Sequence, residues 1–207
     1  MVFYLILGAT YAFAAAVQPG PFQAFLVSRT LSHGWRRTLP ASLSPLISDG
    51  PIVALTLVAL SQLPARFEQV LRLGGGVFLL YLALGAFRSW RDYQEAQPRA
   101  AGAAQRTVFE AAVVNLLNPN PYLGWSLVMG PLLLRGWRET PAHGIALVLG
   151  FYATMALTLA GIIVLFGSAS RLGPRVGRAL VGASAVALAC FGGYQLWSGT
   201  TGLLPGG

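Results

Sequence analysis

"VQPGPFQ" (Val17–Gln23) interrupts an apolar run that begins at Met1, and a hundred residues later "LNPNPYL" (Leu117–Leu123) interrupts another. Proline lacks an N–H and clashes with the preceding helical turn. In lipid an unpaired backbone group costs several kcal/mol, so irregular backbone survives only where protein or a water-filled cavity satisfies it. Proline is favoured in the first turn of a new helix, and Asn is a good N-cap. Each stretch therefore reads as the end of one half-helix and the start of another, with the positive end of the new helix directed at the bilayer middle. The competing reading is a packed proline kink with no ligand.

The membrane setting follows from composition. The chain has 207 residues, 55% hydrophobic and 10% charged, with a mean hydropathy of +0.63. A soluble domain is about a quarter charged, so these charges are too few to coat a soluble surface. All fourteen basic residues are Arg, giving a net charge of +8. They sit in short loops between apolar runs and form no basic face, which argues against nucleic acid and for membrane topology. Cys190 is the only cysteine; it excludes an internal disulfide and a thiol-shuttling redox enzyme. His33 and His143 lie far apart, and no His, Cys or carboxylate cluster has metal-ligand spacing, so neither metal nor cofactor is expected. "AFAAA" (Ala12–Ala16) resembles a signal-peptide cleavage site, but the first Arg is Arg29 and there is no positive n-region, so the segment is expected to remain.

A spanning helix needs about 20 apolar residues. Six runs qualify, at about 3–28, 39–60, 69–89, 108–134, 142–167 and 177–198. The halves resemble each other. "GWRRT" at Gly34 and "ALTL" at Ala54 recur 102 residues later as "GWRET" at Gly136 and "ALTL" at Ala156. "QPGPFQAF" at Gln18 matches "NPNPYLGW" at Asn118, and "GAFRSW" at Gly85 parallels "GGYQLW" at Gly192. Looking for such self-similarity comes first in reading a chain. The expected fold is an all-α integral membrane protein of six transmembrane helices, arranged as two inverted three-helix repeats, with the first and fourth helices broken at the proline motifs. Three spans per half is an odd number, so the second copy must be inserted upside down, as in many secondary transporters. The expected divisions are a first repeat at 1–90, a cytoplasmic linker at 91–106, a second repeat at 107–199 and a flexible tail at 200–207. Ten arginines fall in the first, third and fifth loops against four in the second and fourth, which places both termini outside the cytoplasm.

Asp49 lies in the middle of the second run. A charge at mid-bilayer costs roughly 2.5–3.5 kcal/mol on insertion scales, so it faces a bundle interior or cavity and marks function by default. It can balance a substrate ammonium or carry a coupling proton; the alternative is a protonated Asp bonded to a helix carbonyl. Offset 102 from Asp49 is Phe151, so the carboxylate has no counterpart in the second half. The candidate substrate-binding residues are Gln18, Pro19, Gly20, Pro21, Asp49, Asn115, Asn118, Pro119, Asn120 and Pro121. Asn115 and Asn118 share a helix face, either lining the site or bonding another helix. Glu110, near the start of the fourth run, reads as interfacial or as part of a cytoplasmic vestibule. Gly74–Gly76 reads as a close-packing surface, and Trp35, Trp90, Trp137 and Trp197 as membrane-interface anchors.

Together these residues resemble the LysE/RhtB family of amino-acid exporters. The family's first span carries "PGP", here Pro19-Gly20-Pro21; its second carries an Asp, here Asp49; its fourth carries "NPK", here Asn118-Pro119-Asn120. The family lysine is thus Asn120, followed by a further proline, which marks a side branch. The resemblance implies a proton-driven exporter of an amino acid or similar small amphiphile in a prokaryotic cytoplasmic (inner) membrane. It is a transporter and not an enzyme; its partners are the small-molecule substrate, protons and membrane lipid, and a homo-oligomer is compatible with it. The competing classes are an inorganic or metal ion exporter of the same superfamily and a membrane assembly factor that transports nothing.

Overall fold

The computed structural model describes residues 1–58, 65–91, 103–169 and 173–202, and among them every regular element is helical. Most of the expected linker at 91–106 and the end of the tail, 203–207, lie outside the described residues.

The first apolar run folds as α1 (Val2–Val17) and α2 (Pro21–His33), bent by 65° at the break between them. Gln18 and Gly20 are extended, and Pro21 opens α2, where its missing N–H costs no intrahelical bond. α2 stops at Gly34, whose φ of +85° suits only glycine. A single turn, α3 (Trp35–Thr38), and a tighter 3-10 stretch (Leu39–Leu43) lead into α4 (Ser44–Val58). Pro51 sits inside α4 and cannot donate to the carbonyl of Ile47. α5 (Ala65–Arg91) follows. The fourth run repeats the broken pattern: α6 (Ala103–Leu116) ends, Asn118 is extended, and α7 (Pro119–Gly124) begins at a proline. α7 continues through a wide π-helical turn, Trp125–Met129, into α8 (Gly130–Glu139). α9 (Pro141–Ala169) and α10 (Pro174–Thr201) close the chain.

Gln69–Arg91, Pro141–Ala169 and Arg175–Thr201 are each long and apolar enough to cross a membrane, and α1 with α2 suffices as a bent pair. The described part of α4 has 15 residues. The exterior suits lipid: Phe3, Phe109, Leu127, Leu157, Leu165 and Val186 are all more than 60% exposed, a surface too apolar for water.

Two pairings dominate the packing, α5 with α10 and α1 with α9. Glycine brings both together. A Cβ on Gly8 would fall 2.2 Å from the Leu147 carbonyl oxygen, and one on Gly150 would fall 2.2 Å from that of Leu5. Gly76 and Gly192 meet reciprocally in the other pair, where a Cβ added to either would fall 2.9 or 3.0 Å from the other's carbonyl oxygen. Backbones in contact are how helices gain packing energy in lipid. A Cβ on Gly75, of the expected close-packing triplet, would fall 2.5 Å from the Gln195 side chain of α10 and 2.6 Å from the Leu117 carbonyl oxygen at the second break.

Candidate functional site

Both breaks leave helix-end carbonyls without their usual donors, and each is answered by a side chain from the following helix. The Gln23 amide donates to the carbonyls of Ala15, at 3.2 Å, and Ala16, at 3.0 Å. The Tyr122 hydroxyl donates to the carbonyl of Leu116, at 2.9 Å. The Asn118 side chain accepts from the Asn120 N–H at 3.1 Å, capping α7 as an Asn N-cap should.

The two capped breaks border one cavity with about 120 Å³ open to the centres of water-sized molecules. A water needs about 10–15 Å³ by this measure, so the space suits several waters or one small solute. Gln18, Pro19, Gly20, Asp49, Asn115, Asn118, Asn120 and Pro121 all line it. Pro21 and Pro119 do not; each is buried as the first residue of its helix. Gln18, Pro19 and Asn120 are exposed, whereas Gly20, Asn115 and Asn118 are buried, so the cavity has an open side and a closed floor.

Asp49 is 3% exposed. The Asn115 side-chain amide donates to its Oδ1 at 2.8 Å and to the Ser48 Oγ at 2.8 Å. Trp125 and Tyr152 lie near the carboxylate. The Asn115 amide can only donate through its nitrogen, so the Asp49 oxygen it meets is an acceptor. Asn115 therefore both lines the cavity and bonds another helix, α4. Among the described residues Asp49 is the sole charged side chain in the cavity wall.

Aromatic rings line the cavity as well. Phe151, at the repeat offset from Asp49, lines the same cavity and packs edge-on to Trp125 at 5.5 Å and against Tyr11 at 6.3 Å. The sequence reading did not single out Tyr11, Gln23, Trp125, Tyr152 or Met155. A signal existed for two of them: Trp125 is the Trp far from any span end, and Gln23 is an amide inside an apolar run. The others are indistinguishable from core by pattern.

Glu110 is buried within the protein. It is 6% exposed on α6, where it pairs with Arg29 of α2 and, at 3.0 Å, with Arg106. Arg29 makes the buried carboxylate tolerable, because an unpaired charge there is strongly unfavourable. The four interface tryptophans divide. Trp137 and Trp197 are 52% and 64% exposed, while Trp35 covers Gly167 and Trp90 covers Gly182 and lies under the Arg178 guanidinium.

A family model described as LysE type translocator matches residues 13–199. No curated protein and no solved structure matches the chain.

Proposed function

The chain belongs to the LysE type translocator family and is a multi-pass membrane transporter; from that premise we propose that it exports an amino acid or similar small amphiphile across the cytoplasmic membrane. Two inverted three-helix repeats, 1–90 and 107–199, form six spans, and the proton gradient drives the cycle. One observation carries the reading. Both proline breaks and Asp49, the carboxylate in the middle of the second apolar run, border one cavity, where a ligand can be held near the bilayer middle between broken helices. The helix pairing supports the inverted repeat. A two-fold relation that exchanges α1 with α6 and α4 with α9 turns the α1–α9 contact into α4–α6, and both occur. The same operation pairs α5 with α10, the most extensive contact in the molecule.

In the cycle Asp49 either holds the substrate ammonium directly or releases substrate as it takes up a proton. Asp49→Asn preserves shape and removes the charge. Expression and monodispersity should be unchanged, while efflux measured in inverted vesicles or liposomes is lost. Full activity in this variant removes both roles. Binding that persists while gradient-driven transport fails leaves only the proton-relay role.

A further inference from the structure

The start of α7 offers an anion no backbone donor in its first three residues. Pro119 and Pro121 have no N–H, and the Asn120 N–H is occupied by the Asn118 side chain. At the other break Pro21 also lacks an N–H, leaving Phe22 and Gln23 in a first turn without a side-chain cap. A helix start presents about half an elementary charge. Among the described residues no Arg or His lines the cavity, and the exposed Asn120 does. A substrate carboxylate would therefore be desolvated beside the Asp49 carboxylate with no full counter-charge, which is unfavourable.

An ammonium meets the reverse. Asp49 supplies a full negative charge, and Trp125 and Phe151 supply aromatic faces, to which cations are attracted. Met155 adds an adaptable apolar contact. The asymmetry of the duplication gives the site its polarity, with an anion from the first half and an aromatic ring from the second at the equivalent position.

We propose that the substrate is a monocationic organic amine with an apolar body and no carboxylate, its ammonium at Asp49 and its body against Phe151, Trp125 and Met155. This rests on reading the cavity as the transport site.

The test uses the full chain with 2-phenylethylamine and phenylalanine, probes that differ only by the carboxylate. Ligand-induced thermal stabilisation in detergent reads binding, and flux above that of protein-free liposomes reads transport. We expect 2-phenylethylamine to stabilise the protein at a concentration about tenfold lower than phenylalanine, and Asn120→Lys, which restores a cation in the cavity lining, to narrow that ratio. Equal or better binding of phenylalanine overturns the amine assignment and leaves the transport reading standing. Binding of 2-phenylethylamine that is lost in Asp49→Asn, without flux in the wild type, leaves the amine site and overturns the transport reading. A folded protein stabilised by neither probe overturns the amine assignment.

Discussion

At position 23 a glutamine amide reaches back across the first break to the carbonyls of Ala15 and Ala16. Without it those acceptors lose their side-chain donor. Gln23→Leu keeps the approximate volume and removes both bonds. Each buried acceptor left unsatisfied costs about 1–3 kcal/mol, so the variant should melt well below wild type in detergent. Tyr122→Phe removes the single corresponding bond to Leu116, at about 1 kcal/mol, and should melt between the two. A Gln23→Leu protein that melts with the wild type would show that the first break is satisfied some other way. The two breaks thus share a problem but not a solution. Gln23 aligns with Leu123, and Tyr122 aligns with Phe22, which has no hydroxyl.

Helix α9 contains glycines of two kinds, and they separate packing from propensity. Gly150 faces the backbone of α1, where an added methyl would lie 2.2 Å from the Leu5 oxygen. Gly161 has nothing within 4 Å of the same added atom. Gly150→Ala must push α1 away from α9, a strain of about 1–3 kcal/mol, and should lower the melting temperature and the monodisperse fraction. Gly161→Ala should be neutral or slightly stabilising, because Ala is the better helix former by about 1 kcal/mol. Equal tolerance of both changes would mean that the α1–α9 contact is looser than described. α1 also carries Tyr11 and Ala15 into the cavity wall, so Gly150→Ala should impair transport even where the protein survives purification.

Across the whole molecule, the inverted-repeat reading makes a prediction about sidedness. From the arginine bias we expect the 91–106 linker in the cytoplasm and Gly207 outside. A tag following Gly207 should react with an impermeant reagent in intact cells, and a tag at Gln97, which lies outside the described residues, should react only after lysis. The opposite pattern would invert the proposed topology, and labelling of both in intact cells would break the odd-span count per half. The buried Glu110 agrees with the same frame. It joins α2 and α6, the half-helices that adjoin the first and third loops, on the side the arginines assign to the cytoplasm.

By itself the sequence determined the solvent, the places where helices break and a charge, Asp49, that is expected not to face lipid. These are local or compositional facts: a shortage of charges, prolines without N–H groups, and the cost of moving a carboxylate from water. It also indicated the duplication, although equal motifs need not adopt equal conformations. Gly34 turns with φ of +85°, while its partner Gly136 lies within α8. The tertiary structure alone decided which side chains meet the breaks. Gln23, Tyr122, Trp125 and Tyr152 act across a helix gap or between helices, and an apolar run does not encode which of its faces will look inward. The burial of Glu110 was likewise out of reach, because its tolerance depends on Arg29, 81 residues away. A charge is admitted to an interior by its partner, and partners distant in sequence are brought together only by the fold.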